Sequence, residues 1–468
     1  MLHKNQTLTV TVESVDGQMQ GVAHADGETL FVPGALAGET VTVSTTRCEK
    51  HYAFARILSV DKPSPFRVAP PCPHVRFCGG CDALHMTYEE TLRVKQTHVR
   101  ETLRRIGGIE AEVPLPLPME QPYAYRNKSA VPTAMEDGIA KAGFYAPRSH
   151  RLVPAESCLI AMPEGHIAAN TVVRWLNDGH IPAYDEKTRQ GFVRHVVTRT
   201  ARSGDVMVTV ASARDDLPDT EGLVERLRAA LPRLVSVCLT VNPRGDNVIL
   251  GRTYRVLFGA PKLKDTLCGL TFDLSPLSFF QVNPVQTEKL YQTALSFAAP
   301  APGDTAVDLY CGAGTISLLL SRSVKKVIGI EIVPEAIRDA RSNARNNGIE
   351  NAEFHAADAS ELLPRLVGAG LRPDLIVLDP PRKGADPEVI RAAVQASPSR
   401  IVYVSCDPAT LARDLRLFTE LGYALKNVQP VDMFCWTKHV ETVCCLYHQK
   451  KDFVSVPYEP KDAEYLKE

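Results

Sequence analysis

From residue 7 to about 61 the apolar positions come in short alternating runs, LTVTVESV, ETLFVPG, ETVTVST and AFARILSV. Alternation over so few residues predicts half-buried strands. Asp16-Gly17 and Asp26-Gly27 stand between the runs, where tight turns are expected. Several short strands without a helix predict a small closed β-barrel over residues 1–61, an architecture that often binds nucleic acid. Pro63, Pro65, Pro70, Pro71 and Pro73 then break the chain. From 70 to about 270 the pattern is mixed. Helical stretches at Tyr88 to Ile106 and Glu221 to Leu231 alternate with the strand-like DVMVTVAS and SVCLTVN, which predicts a central α+β domain. From 275 to 450 the pattern changes again: TAVDLY, KKVIGIEI, AEFHAAD, LIVLDPP and RIVYVSC are continuous apolar runs separated by helical segments, with a closing strand pair near ETVCCLYH. Such runs predict a parallel sheet covered by helices on both faces, so the fold class is α/β. The charged tail after Lys450 is expected to fray.

The ends of those runs carry the chemistry. Asp308-Leu-Tyr-Cys-Gly-Ala-Gly314 closes the first strand and opens a helix. Its glycines, Gly312 among them, let backbone approach a ligand at the carboxyl edge of a Rossmann-like sheet. Glu331 ends the next strand, about where an acid accepts hydrogen bonds from ribose hydroxyls. Asp358 ends the third, within reach of an adenine, and Asp379 ends the fourth. A dinucleotide site wants a third glycine, and GAGTIS lacks it. The series predicts an S-adenosylmethionine site.

Cys406 lies past the strand RIVYVS and before a helix. Taken alone such a cysteine is a packed core thiol. Beside a methyl donor it fits pyrimidine carbon-5 chemistry. Carbon 5 of uracil is a poor nucleophile until a thiolate adds to carbon 6, and a base must then remove the carbon-5 proton. Glu441, in His439-Val-Glu441-Thr, is the candidate base; by position alone it reads equally as a surface acid. An amino-group methyltransferase would place an aromatic residue after Asp379-Pro-Pro381, where this chain has Arg382. A DNA cytosine enzyme would place its cysteine after proline, where this chain has Ser405.

Cys72, Cys78 and Cys81 follow the proline-rich stretch at ligand spacing, and Gly79 and Gly80 allow the loop to wrap tightly. Cys158 is the expected fourth ligand. Four thiolates suit Zn²⁺ or an iron–sulfur cluster equally. His74 and His85 sit off this spacing and are read as bystanders.

Composition adds limits. The N-terminus shows no export signal and no run is long enough to span a membrane, so a cytoplasmic chain with reduced thiols is expected, without a membrane partner. Net charge is −1, without the positive excess common in nucleic-acid binders. Arg189, Arg194, Arg199, Arg202 and Arg214 crowd one segment, as an RNA-facing patch or as solvated strand faces.

SCDPATLARD, DLYCGAG, LDPPRKG, SFFQVN and the late HVET together resemble the RNA uridine-5-methyltransferase family, over nearly the whole chain. The resemblance implies Cys406 as nucleophile and Glu441 as base. It implies a cofactor and target-base site lined by Gln281, Tyr310, Gly312, Glu331, Asp358 and Asp379, with Phe279 stacking near a flipped uracil. It implies that the barrel is a TRAM domain and that Cys72, Cys78, Cys81 and Cys158 hold a [4Fe–4S] cluster. Barrel and cluster together resemble the branch acting on 23S ribosomal RNA, as a monomer; a tRNA enzyme and a non-catalytic RNA-binding scaffold are the alternatives. Two positions depart from the family pattern: Asp407 where many members have Asn, and Cys435 where proline is common. Asp407 is expected to make the Cys406 thiolate harder to form.

Overall fold

The computed structural model describes residues 2–449, so the tail after Lys450 lies outside the described residues. Six strands form the N-terminal sheet: β1 (Thr7–Thr11), β2 (Ser14–Val15), β3 (Gln20–Ala25), β4 (Glu28–Pro33), β5 (Thr40–Cys48) and β6 (Tyr52–Lys62), in the order β1-β5-β6-β4-β3-β2. Alternate residues, among them Val10, Leu30, Val32, Val41 and Val43, point into one core. Asp26 and Gly27 both take positive φ, 51° and 78°, as a two-residue hairpin turn between β3 and β4 requires. Buried Glu39 anchors the sheet to the linker. Its carboxylate accepts from Arg67 Nε at 2.5 Å and Nη2 at 2.7 Å, and from the Ser64 backbone N–H at 3.1 Å.

Helix α1 (Tyr88–Thr102) begins at the N-cap Thr87, runs into one π turn, and ends at Gly108 in the left-handed region (φ 65°). The second sheet contains β7 (Lys128–Glu136), β8 (Ile139–Tyr145), β9 (Leu152–Pro154), β10 (Val193–Thr200), β11 (Val206–Ser212), β12 (Leu234–Val241) and β13 (Tyr254–Gly259). Their order is β13-β12-β11-β10-β7-β8-β9. Helices α2 (Pro163–Asp178) and α3 (Thr220–Ala230) cover one face through Trp175, Leu176, Leu223 and Leu227. A hairpin, β14 (Leu263–Leu267) and β15 (Leu270–Leu274), leads onward.

The third part alternates as its apolar runs predict. Its elements are α4 (Pro284–Ala298), β16 (Thr305–Leu309), α5 (Thr315–Leu320), β17 (Lys326–Glu331), α6 (Pro334–Asn346), β18 (Ala352–Ala356), α7 (Ala359–Gly368), β19 (Leu375–Leu378), α8 (Pro387–Gln395), β20 (Arg400–Ser405), α9 (Pro408–Glu420), β21 (Tyr423–Val431) and β22 (Glu441–His448). The sheet order is β18-β17-β16-β19-β20-β22-β21. The first five strands are parallel, and β22 inserts antiparallel between β20 and β21. Period-2 geometry splits each strand between two cores. Val402 and Val404 face α4, α5 and α6, while Ile401 and Tyr403 face α7, α8 and α9. The loops that follow β16, β17, β19 and β20 therefore share one edge.

A buried ion pair joins the elements. Lys95 of α1 and Asp432, just past β21, are both fully enclosed. Lys95 Nζ also donates to the Phe434 carbonyl at 3.0 Å, and the Tyr88 hydroxyl donates to Asp432 Oδ2 at 2.6 Å. Removing one partner of such a pair leaves an uncompensated buried charge, at about 3–5 kcal/mol. Lys95→Met should lower unfolding stability by that amount in urea titration, and Lys95→Met with Asp432→Leu should recover part of it. A single variant as stable as the wild type would show that the pair does not hold this junction.

Candidate functional site

The turn after β16 is built from residues that tolerate unusual backbone. Tyr310, Gly312 and Gly314 have φ of 65°, 53° and 84°, and Gly314 caps α5. A Cβ on Gly314 would stand 3.1 Å from Ala340 and the Phe354 ring, whereas one on Gly312 would meet open space. Gly314 is thus a packing glycine, whereas the space beside Gly312 is open. The Gly312 N–H donates to Glu331 Oε2 at 3.3 Å, and Glu331 Oε1 accepts from the Val333 N–H at 2.9 Å. Asp308 is buried: Ser317 Oγ donates to its Oδ2 at 2.5 Å, and Oδ1 has no partner among the described residues. Burial pushes its carboxyl up to about 7. The Tyr310 hydroxyl accepts from the Asp386 N–H at 3.4 Å. Asp358 is exposed and caps α7 through the Ser360 N–H at 2.8 Å.

Strand register brings the second group together. β20 pairs with β22 so that Ser405 lies opposite Thr442, which sets Cys406 beside Glu441 at the sheet edge. Glu441 is 4% exposed. Burial first, and then the charge of Asp379, pushes its carboxyl up to about 8, while Arg382 draws it down. Burial alone pushes Asp379 up to about 7. The Cys406 thiol is pushed up to about 11 by burial and then by Glu441; Arg382 opposes this, and Asp379 and Asp407 add to it. Asp407 raises the thiol as expected but comes last among the causes; its Oδ1 accepts from the Ala409 and Thr410 N–H groups at 2.9 and 3.1 Å as the cap of α9. Arg382 is the cation that acts on both Cys406 and Glu441.

The segment after β15 supplies the opposite wall. Phe279 is 79% exposed, so its ring face is open to solvent. Gln281 is half-buried, and the buried Tyr291 hydroxyl lies within the influence of Gln281, Thr315, Asp379 and Glu441. Sequence reasoning missed Tyr291, because its place on the buried face of α4 beside Leu290 and Ala294 reads only as core. It also missed the reach of Arg382, read there only as the residue that is not aromatic.

Cys72, Cys78 and Cys81 line the loop before α1, and Cys158 lies in the loop before α2. The loop folds back at Cys78, whose N–H donates to the His74 carbonyl at 2.8 Å. Burial and the charges of Cys158, Cys78 and Cys72 push the Cys81 thiol up to about 12, so the four sulfurs share one electrostatic neighbourhood. Cys72, Cys81 and Cys158 pack around Leu84, Tyr125, Ile160 and Trp436, and none of the four cysteines forms a disulfide. Among the described residues no three His, Cys, Asp or Glu side chains stand in metal-binding geometry. The thiols are gathered but do not close on a common centre. His85 is pushed down to about 4 by burial and by Arg67, and its charge neighbours are Arg67 and Glu39 rather than the thiols.

The arginine-rich segment is not one patch. Arg194 Nη1 donates to the Asn242 and Arg244 carbonyls, both at 2.7 Å, Arg202 pairs with Glu288, and Arg214 pairs with Asp216 at 2.5 Å. Among the described residues no helix is long and apolar enough to cross a membrane.

Comparison with known proteins bears on these arrangements. Residues 202–450 match the tRNA (Uracil-5-)-methyltransferase family model, and residues 2–58 match the TRAM domain. The chain is 44% identical to an uncharacterized RNA methyltransferase of Halalkalibacterium halodurans, over 95% of this chain and 98% of that one. It is 42% identical to one of Clostridium tetani, over 96% and 98%. Among solved structures it resembles the Pyrococcus abyssi tRNA (uracil-54, C5)-methyltransferase bound to S-adenosyl-L-homocysteine. The TM-score is 0.75 at 26% identity, covering 94% of this chain and 99% of the other. Family model, full-length relatives and shared architecture agree: this chain belongs to the RNA uracil-5-methyltransferase family and carries an N-terminal TRAM domain.

Proposed function

We propose that the protein transfers a methyl group from S-adenosylmethionine to carbon 5 of a uridine in RNA, with Cys406 as nucleophile and Glu441 as base. The observation that carries this is the placement of Cys406, Glu441, Asp379 and Arg382 at one strand edge, next to the glycine turn. S-adenosylmethionine, when bound, supplies an electrophilic methyl group. Gly312, Tyr310, Glu331, Asp358, Asp379 and Gln281 are the residues that would hold it and the target base. Cys406 Sγ bonds to carbon 6, and the displaced electron pair makes carbon 5 nucleophilic. With the cofactor leaving as S-adenosylhomocysteine, carbon 5 would carry the methyl group; Glu441 then removes the carbon-5 proton, and the bond from Cys406 Sγ to carbon 6 breaks as the double bond re-forms. Arg382 favours the thiolate against its buried surroundings. Exposed Phe279 offers a stacking surface to a base turned out of its helix.

The substrate we propose is 23S ribosomal RNA, on the pairing of barrel and cysteine set. A tRNA uridine is the second reading, favoured by the likeness to the archaeal tRNA enzyme along almost its whole length. One experiment tests activity and substrate together. The protein, incubated with S-adenosylmethionine and total RNA containing 5-fluorouridine, should form a covalent adduct, because fluorine does not leave as a proton. Sequencing the captured RNA identifies ribosomal or transfer RNA as the target. Glu441→Gln should accumulate a methylated adduct on ordinary RNA, and Cys406→Ala should form none and transfer no methyl group. Methylation by Cys406→Ala at near wild-type rate would remove the carbon-5 mechanism and favour a different acceptor atom.

The pH profile follows from Glu441. A base must be ionised, and an acid raised to about 8 gains its charge as pH rises through that value. The value of kcat/KM should therefore climb from about pH 6 to 8, and the Cys406 thiol, at about 11, should keep it from falling above that. The same shift acts on stability with the opposite sense. A raised carboxyl contributes stability that is full below its ordinary value of 4.5 and lost as pH passes about 8, so Glu441→Gln should flatten that decline. A flat rate profile over this range would count against Glu441 as the base.

Cys72, Cys78, Cys81 and Cys158 are proposed to hold a [4Fe–4S] cluster. Four unpaired thiols in one electrostatic neighbourhood fit a tetrathiolate group, whose binding would require them to deprotonate and draw together. Protein prepared without oxygen should be brown and contain about four iron atoms per chain. Metal analysis finding zinc and no iron would replace the cluster with a zinc site, and the variant Cys81→Ser should lose whichever metal is present.

A further inference from the structure

The second sheet carries a pair of cations that the chemistry above does not use. β7 and β10 run antiparallel with Lys128 directly opposite Arg199. Like charges facing each other across a strand pair repel, and these are also withdrawn from water. Arg199 is 3% exposed and Lys128 is half-buried. Arg199 Nη2 donates to the Ser278 carbonyl at 2.8 Å, but Nη1 is buried without a partner among the described residues. Lys128 Nζ likewise makes no hydrogen bond or ion pair with any described residue. Burial, and then the charge of Arg199, pushes its ammonium down to about 8. The one acid whose charge reaches Arg199 is Asp265. Its Oδ1 is taken by the backbone N–H groups of Arg202 and Thr266, both at 2.8 Å, and its Oδ2 is buried without a donor. Two cations therefore have a single acid, Asp265, near them and keep unused donors in a half-dry setting, which is unfavourable without a further anion.

The position of the pair says which anion. Arg199 holds Ser278, whose neighbour is exposed Phe279, and the N–H of Asn127, one residue before Lys128, donates to the Val282 carbonyl at 2.8 Å. The pair thus flanks both ends of the stretch that carries Phe279 and Gln281. Asn127 is itself 2% exposed with neither side-chain amide atom partnered, so a polar ligand here finds further donors and acceptors. We propose that Lys128 and Arg199 form a subsite for a backbone phosphodiester of the RNA, next to the nucleotide that stacks on Phe279. The subsite rests on the reading of Phe279 as the target-base platform. A phosphate there gains a charge-assisted hydrogen bond from half-buried Lys128 and, by its charge, offsets the repulsion between Lys128 and Arg199.

The test is Lys128→Gln in the full-length protein, with oligouridylate as the binding probe and total RNA as the methylation substrate. Oligouridylate affinity should fall about tenfold, and the slope of log affinity against log salt should shrink by about 0.7, the share of one single-strand phosphate. KM for RNA should rise in step while kcat stays within about twofold, and Lys128→Arg should restore binding. Without RNA, Lys128→Gln should melt at the wild-type temperature or above it, because it removes an uncompensated charge. Unchanged affinity and salt slope would overturn the subsite. So would a lower melting temperature of the RNA-free variant, since Lys128 would then be bonded within the protein. Inorganic phosphate that raises the melting temperature of the wild type but not of Lys128→Gln, with oligouridylate binding unaltered, would mark a free-anion site and overturn the RNA assignment. Adduct formation on 5-fluorouridine RNA separates the two failures. If the wild type forms none, the uridine carbon-5 reading fails; if it does and Lys128→Gln binds as well, only the subsite fails.

Discussion

The Lys95–Asp432 ion pair is the constraint on which the remaining contacts depend, because Asp432 opens the strap that ends at the proposed base. Burying both charges costs desolvation, and their attraction repays it only if the other polar atoms are also satisfied. They are: Asp432 Oδ2 takes the Tyr88 hydroxyl, that oxygen accepts the Met119 N–H at 2.9 Å, and the Asp432 carbonyl accepts Gln286 Nε2 at 3.1 Å. Four chain segments meet on one carboxylate and its peptide. A hydrophobic pair of equal volume would pack as well, but it would not fix which atom of the strap faces which helix. The ion pair sets that register, and Glu441 follows a few residues later.

Desolvation, more than any single charge, orders the electrostatics of the reaction edge. It is the first cause for Asp308, Asp379, Cys406 and Glu441 alike, and it disfavours every negative form. The concern raised by Asp407 in the sequence shrinks for this reason. Its carboxylate is engaged by two backbone N–H groups of α9, and it ranks below burial, Glu441, Arg382 and Asp379 in its effect on the thiol.

What the sequence made legible follows from strand geometry. A parallel strand buried on both faces is a continuous apolar run, so its carboxyl end is visible as the place where the run stops, and Glu331, Asp379 and Cys406 stand at such stops, with Asp308 one residue short of one. Residues placed by register or by a helix face carry no such mark. Tyr291 has the spacing of a core residue, and its hydroxyl matters only because Gln281 and Thr315 arrive from elsewhere. Lys128 and Arg199 meet only because β7 pairs with β10. The arginine run between 189 and 214 looked like one surface, yet the fold sends Arg194 to backbone carbonyls, Arg199 into a buried pair and Arg214 to a surface acid. The strand Gln20–Ala25 escaped the alternation because Gly21 and His24 interrupt it.

The cysteine loop and the strand that begins at Glu441 are held by the same few bonds. The backbone N–H groups of Asp82 and Ala83, immediately after Cys81, both donate to the Trp436 carbonyl, at 2.9 and 3.0 Å. Asp82 Oδ2 accepts the Lys438 N–H at 3.0 Å, and Lys438 Nζ reaches back to Gln18 of the barrel at 2.6 Å. The Trp436 ring stacks on Tyr123 at 5.3 Å and closes over the thiols. Any ordering of the loop around Cys81 is therefore paid in part by order in residues 436–438, three residues from Glu441. Such coupling is reciprocal by thermodynamic necessity. A strap free to move would loosen the loop, and a loop fixed by its thiols steadies the strap. Barrel, thiol loop and proposed base thus share one short segment of chain, which gives a physical reason for the three parts to travel together in a single polypeptide.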